Sequence, residues 1–187
     1  LELWLVADAG LVVLPNSGKS TLLAALTAAR PKIASYPFTT LTPNLGRVKI
    51  SDEEAFSLAD IPGLIEGAHE GHGLGIRFLR HLKRTRVMVY VLALDSDPAC
   101  DFEVVRREVA AFDMEMASRP ALIALNKDDL IAAGDAKELA HAMHLQTGLE
   151  VFVISARQHR GLAPLVAAVA QMLKTFNTVQ ADVSARL

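Results

Sequence analysis

At 187 residues, 51 % of them apolar, the chain is long enough to bury one full core and too apolar to be disordered. A formal net charge of −2 removes the electrostatic case for bulk nucleic-acid binding. The single cysteine, Cys100, excludes a disulfide framework and a cysteine metal cluster.

Apolar runs then alternate with helical patterns, which predicts an α/β domain with a mostly parallel sheet. Leu11 to Leu14 reads as the first strand, and Ser20 to Ala29 as a helix with Leu22, Leu23 and Leu26 on one face. Residues 30 to 44 contain Pro31, Pro37, Pro43 and Asn44, which rule out long regular structure. Arg47 to Ile50 and Ala55 to Ala59 flank the polar turn Ser51-Asp52-Glu53-Glu54, a hairpin signal that predicts one antiparallel strand. Gly63, Gly67, Gly71, Gly73 and Gly75 crowd the next stretch, and a helix is expected from about Leu74 to Arg84. Val87 to Leu94 is continuously apolar, the mark of a strand buried on both faces. Helix Phe102 to Phe112, strand Ala121 to Leu125, helix Ala136 to Leu145, strand Val151 to Ile154 and helix Leu162 to Leu173 follow. From Lys174 the pattern fades into a polar tail. No repeat or interior linker interrupts this order, so one domain is expected over 1–174, with 175–187 as a tail or linker.

Five short stretches carry chemistry, and the first three also have a plainer reading. Val13-Leu14-Pro15-Asn16-Ser17-Gly18-Lys19-Ser20-Thr21 lies between a buried strand and an amphipathic helix. That is the layout of a phosphate-binding loop, in which backbone N–H groups cradle an anion, Lys19 adds charge and Ser20 can ligate Mg²⁺. The plainer reading is a capped helix with an exposed Lys, and Val13 stands where the strict pattern has Gly. Asp60-Ile61-Pro62-Gly63 closes a strand, where Asp60 can hold a water on Mg²⁺ and the Gly63 N–H can sense a γ-phosphate; an ordinary turn also fits. Asn126-Lys127-Asp128-Asp129 follows another buried strand. The Asp129 carboxylate can accept from guanine N1 and N2, Asn126 can steady the loop, and the Lys127 stem can lie over the purine, although either Asp would also cap a helix. Ser155-Ala156-Arg157 offers a backbone N–H toward guanine O6. Phe38-Thr39-Thr40-Leu41-Thr42 offers a hydroxyl for Mg²⁺ and an N–H for the γ-phosphate. All five fall at strand ends or in connecting loops, where open α/β sheets bind ligands.

The chain closely resembles the GTPase domain of the Obg family, ribosome-associated GTPases. The first switch of that family is matched by Pro31-Lys32-Ile33-Ala34, Tyr36-Pro37-Phe38-Thr39-Thr40-Leu41 and Pro43-Asn44-Leu45-Gly46. The second is matched by Asp60-Ile61-Pro62-Gly63-Leu64-Ile65-Glu66-Gly67-Ala68, Gly73-Leu74-Gly75 and Phe78-Leu79-Arg80-His81. The resemblance runs from about Leu1 to Leu173 and takes in neither the family's Gly-rich N-terminal domain nor its C-terminal domain. With the missing initial Met, it leads to the expectation that the chain is a piece of a longer protein. It implies a Ras-like P-loop G domain, with about six strands, one of them antiparallel, and helices on both faces. It also implies a slow Mg²⁺-dependent GTPase, at about 10⁻⁴ to 10⁻² s⁻¹ unaided. Residues 13 to 20 would wrap the phosphates with Lys19 on the β/γ oxygens. Ser20 and Thr40 would ligate Mg²⁺, and Asp60 would bind it through water. Asn126, Lys127 and Asp129 would read guanine, assisted by Ser155 and Ala156. Lys19, Thr40 and Gly63 would serve catalysis. K⁺ joins Mg²⁺ and GTP or GDP as a candidate ligand, because similar GTPases with Asn at the Asn16 position can use it. A ribosomal subunit is the expected partner, reached largely through the other domains, with this domain monomeric. A cytoplasmic location is expected, since no apolar run approaches the roughly 18 residues of a membrane span and no signal peptide opens the chain.

Several positions depart from the family. A Cβ at Val13 would cost on the order of 1–2 kcal/mol if φ there were positive, which predicts binding and turnover below the family norm; with ordinary backbone the effect vanishes. Asp128 replaces an apolar residue, Ala93 an Asp, His72 a Lys and Ser17 an Ala. Leu64 stands where Ras-like proteins carry the water-orienting Gln. His69, His72 and His81 lack the spacing of a metal set. Arg80, Lys83, Arg84 and Arg86 read as a solvated face or an rRNA contact, and Phe102 and Phe112 as core.

Overall fold

The computed structural model describes residues 7–27, 32–33, 44–60 and 85–184. Among them seven strands form one sheet: β1 Ala9–Val13, β2 Lys32–Ile33, β3 Asn44–Lys49, β4 Ala55–Asp60, β5 Val87–Ala93, β6 Ala121–Asn126 and β7 Glu150–Val153. The order across the sheet is β2-β3-β4-β1-β5-β6-β7. Strand β3 runs antiparallel to both β2 and β4, and every other pairing is parallel. It is therefore the one reversed strand that the hairpin predicts. The six strands expected are present, and the two-residue β2 is added at the edge of the sheet.

Among the described residues the helices are α1 Lys19–Leu26, α2 Pro98–Phe112, α3 Met114–Ala117, α4 Ala133–Thr147 and α5 Leu162–Ser184, with a short 3₁₀ turn at Asp128–Leu130. Side chains alternate across the pleat, so β1 feeds two cores. Ala9, Leu11 and Val13 pack with Leu22 and Leu23 of α1 and with Leu165, Val169 and Leu173 of α5. Val12 packs on the other face with Phe102, Val105 and Val109 of α2, Met116 of α3 and Met143 of α4. Phe102 is buried and Phe112 packs at the margin of this second cluster.

Helix α5 overruns its sequence expectation by eleven residues, from Leu173 to Ser184. Nothing between them breaks a helix, and Thr175 and Thr178 return hydroxyl bonds to the carbonyls four residues earlier. Two surface contacts hold the added turns: Lys174 pairs with Glu54 at 2.9 Å, and Arg86 donates to Asn177 at 2.9 Å. Arg86 also lies 3.6 Å from Asp8, so this arginine is engaged within the fold. Loss of apolar periodicity marks where a helix leaves the core, not where it ends.

Because β1, β4, β5, β6 and β7 are parallel, Val13, Asp60, Ala93, Asn126 and Val153 all end at one edge of the sheet. From neighbouring strands β1 and β5 the chain turns to opposite faces, into α1 and α2. Such a reversal opens a crevice at the strands' carboxyl ends.

Candidate functional site

At the end of β1 the chain turns through Asn16, at φ 65, and Gly18, at φ 89 and ψ 24. The Ser17 N–H donates to the Leu14 carbonyl at 3.3 Å, and Gly18 becomes the N-cap of α1. Gly18 has no side chain with which to cap the first N–H groups of this helix, an arrangement that suits an anion there. Glycine is required at 18 twice over: the left-handed backbone disfavours a side chain, and a Cβ would collide with the Asn126 amide nitrogen.

Val13 is the last residue of β1, paired with Val91, 8 % exposed and packed in the α1/α5 core. Its φ is not positive. The strain foreseen for a Cβ at this position is therefore absent, and the isopropyl group is directed into hydrophobic packing. Ser17, the mild departure, is buried with its hydroxyl unpartnered.

Asn126 ties the site together. Only 2 % exposed, it donates from Nδ2 to the Ser17 carbonyl at 2.9 Å and accepts at Oδ1 from the Ala156 N–H at 3.0 Å. One amide thus fixes the phosphate loop against the loops that follow β6 and β7. Asp129 Oδ1 accepts from the Ser155 hydroxyl at 2.5 Å, and Ser155 also receives the Gln158 N–H at 3.1 Å. The Ser155 hydrogen bond holds the Asp129 carboxyl below its ordinary pKa, with Arg157 and Arg160 adding to the effect. Asp129 is therefore an anion at neutral pH, as acceptance of two N–H bonds requires. Asp128, the unexpected second acid, pairs with Arg160 at 2.8 Å, and Ser155 and Arg160 bond to each other through their backbones. The departure at 128 thus becomes a second strap between the two loops. Lys127 adopts φ 71 and pairs with Asp95 at 2.8 Å. Ala156 is buried beside Asn126, while Arg157 is exposed.

On the other side of the phosphate loop, Lys19 Nζ lies 3.1 Å from Asp60 Oδ2, which is 2 % exposed. Mg²⁺ is the metal that this fold implies, and the donors suit it: a buried carboxylate already facing a cation, and the Ser20 hydroxyl in the first turn of α1. Leu14 and Pro15 lie in the loop between β1 and α1, and Thr21 lies in the first turn of α1. Phe38, Thr39, Thr40, Leu41, Thr42, Ile61, Pro62 and Gly63, together with Leu64, His72 and the helix expected at 74–84, lie outside the described residues.

Sequence reasoning missed Asp95 and Arg160. The signal for Asp95 was available, since it is an acid just past a buried parallel strand, the position that singled out Asp60. Arg160 carries no comparable local sign.

A family model described as 50S ribosome-binding GTPase matches residues 8–127. GTPase Obg of Desulforudis audaxviator is 53 % identical over 181 residues, and that of Alkaliphilus oremlandii 49 % over 185. These alignments take in 94 % and 97 % of this chain but only 42 % and 43 % of those proteins, so the chain spans less than half the length of the curated relatives it matches. Among solved structures, the G domain of the T. maritima FeoB iron transporter superposes with TM-score 0.64 at 19 % identity, covering 89 % of this chain and 98 % of that one. At that identity the likeness bears on the fold alone. Aquifex aeolicus Era bound to GDP and AlF₄⁻ superposes with TM-score 0.63 at 26 % identity, over 90 % of this chain and 56 % of that one. On these matches the chain belongs to the 50S ribosome-binding GTPases, in which it forms an Obg-type GTPase domain.

Proposed function

We propose that this domain binds GTP and GDP with Mg²⁺ and hydrolyses GTP to GDP and phosphate, as the nucleotide switch of a longer protein acting on the large ribosomal subunit. The observation that carries the guanine reading is the ionised Asp129, oriented by Ser155 and joined through Asn126 to the phosphate loop. A carboxylate matches the paired N1–H and N2–H donors of guanine and repels the acceptor that adenine offers at N1, so ATP is disfavoured. Lys19, 3.1 Å from Asp60, would place its ammonium on the β/γ oxygens, and Ser20 and Asp60 would hold the metal. When bound, Mg²⁺ supplies charge neutralisation on the transferring phosphoryl group. Thr40 and Gly63 are proposed to complete the γ-phosphate contacts.

The alternative, a binding module whose hydrolysis is lost through Val13, has less support because that side chain packs in the core. K⁺ near Asn16 belongs to the proposal as a charge-neutralising cofactor, and equal rates in K⁺ and Na⁺ would remove it. The large subunit is taken from the family's description. Contact with rRNA has a parallel in Era, solved with MgGDPNP and part of 16S ribosomal RNA. No helix among the described residues is long and apolar enough to cross a membrane, and a monomeric domain in the cytoplasm is the setting we propose.

Phosphate release from GTP, run beside ATP and a Lys19→Ala control, tests the enzyme. Release from GTP alone, abolished in the control, is expected. Equal release from the control rules the reading out. Co-sedimentation of the longer protein with 50S subunits in GTP against GDP tests the partner.

A further inference from the structure

We propose that Asp95 is a positioning residue for nucleotide binding: it stretches the Lys127 side chain across the sheet edge, so that the lysine stem forms a preformed wall of the base pocket. The inference rests on the guanine-nucleotide reading above. Strands β5 and β6 are parallel neighbours in which Ala93 pairs with Asn126, so the residues leaving each strand start side by side. Lys127 is the first residue past β6 and Asp95 the second past β5. The Lys127 ammonium bonds to both carboxylate oxygens of Asp95, at 2.8 and 2.9 Å. Its backbone is left-handed, at φ 71 and ψ 34, a conformation that a long side chain adopts only where its surroundings require it.

Asp95 is itself held on both sides. Before it, the turn from Ala93 is closed by the Ser96 N–H and hydroxyl, which donate to the Ala93 carbonyl at 3.3 and 2.9 Å. Ser96 also donates to Asp101 in α2 at 2.6 Å. After it, Asp97 caps α2 by accepting from the Cys100 N–H at 3.1 Å. The anchor is therefore rigid, while the lysine it holds is by nature flexible.

The ion pair is partly exposed, at 25 % for Lys127 and 39 % for Asp95, so its direct contribution to stability is small. Its consequence lies in order. A free lysine stem has among the largest rotamer entropies of any side chain, and a base packing on it must freeze it. Asp95 freezes it beforehand and occupies the ammonium, which leaves the methylene chain as the surface offered to the purine.

The test is titration of fluorescent GDP onto wild type, Asp95→Ala, Lys127→Met and the double variant. Asp95→Ala is expected to weaken GDP about three- to tenfold, the effect of immobilising one rotamer-rich side chain, mainly through faster release. In the Lys127→Met background the same substitution causes no further loss, because nothing remains to position. The GDP-to-IDP affinity ratio stays at the wild-type value, since the 2-amino group is read by Asp129. Asp95→Asn, which keeps the shape without the charge, gives an intermediate loss and stands in if the alanine variant does not fold. Unchanged GDP affinity in Asp95→Ala, a loss that persists in the Lys127→Met background, or a collapsed GDP-to-IDP ratio overturns the proposal. Wild type that binds no GDP overturns instead the guanine reading on which it rests.

Discussion

Replacing Asn126 by Ala cuts a side chain that joins the phosphate loop, at Ser17, to the loop after β7, at Ala156. Two buried groups lose their partner, the Ser17 carbonyl and the Ala156 N–H, previously bonded at 2.9 and 3.0 Å. Each buried group left unsatisfied costs about 1–3 kcal/mol, so the pair sums to roughly 2–6 kcal/mol before relaxation. With a urea dependence of about 2 kcal/mol per molar for a domain of this size, a central loss of about 4 kcal/mol lowers the unfolding midpoint by about 2 M. The effect on ligand is separate, because the two halves of the site are no longer held at a fixed spacing. GDP affinity is expected to fall at least tenfold, about 1.4 kcal/mol. Asn126→Asp keeps the acceptor for Ala156 but sets a carboxylate oxygen against the Ser17 carbonyl, so its loss should be at least as large. Urea unfolding followed by circular dichroism and calorimetric GDP titration measure the two effects. An alanine variant within about 0.3 M of the wild-type midpoint and about twofold of its affinity would refute the idea that this amide couples the loops.

Val13→Gly restores the strict loop pattern, yet it should destabilise the domain by about 2–4 kcal/mol, from the lost buried isopropyl group and glycine's extra chain entropy; calorimetry should show GDP affinity changed by less than about threefold. Gly18→Ala meets both a φ of 89 and the Asn126 amide, so binding of GDP should be lost at every concentration that saturates wild type. Ser155→Ala should raise the Asp129 pKa toward its ordinary value, because the first cause of the depression is that hydroxyl. A depressed folded pKa means that the stabilising contribution is present above the ordinary value and lost as pH falls through the folded one. The acid limb of GDP binding in the variant should therefore lie at higher pH than in wild type, and a carboxyl carbon NMR titration of Asp129 reads the shift directly.

Much of this site was legible because it is built from turns after apolar runs. Gly18-Lys19-Ser20, Asp60, Asn126 to Asp129 and Ser155-Ala156 each announce themselves within a few residues, and the parallel sheet that gathers them follows from the alternation of strands and helices. Val13 shows the limit of reading by pattern. The missing glycine suggested a strained phosphate loop, but whether a Cβ harms depends on the backbone angle and on where the side chain finds room. At the end of β1 it finds room among Leu22, Leu23 and Val91.

Contacts between distant residues had no such local sign. Lys127 and Asp95 are 32 residues apart, as are Asp128 and Arg160. The first pair meets only because β5 and β6 are neighbours, and the second because β6 and β7 are. Two ion pairs thus flank the base loop, one toward each adjoining strand, while Asn126 secures it from beneath to the phosphate loop. This arrangement separates two properties that a sequence motif merges. In the proposed reading Asp129 chooses the base, through the match of a carboxylate to two donors, and its neighbours at 127 and 128 set how far the loop is ordered before the base arrives, and hence how tightly any accepted base is held. Substitutions at Asp95 or Arg160 should accordingly change affinity at constant specificity, whereas Asp129→Asn should change specificity while the loop, still strapped on both sides, keeps its shape.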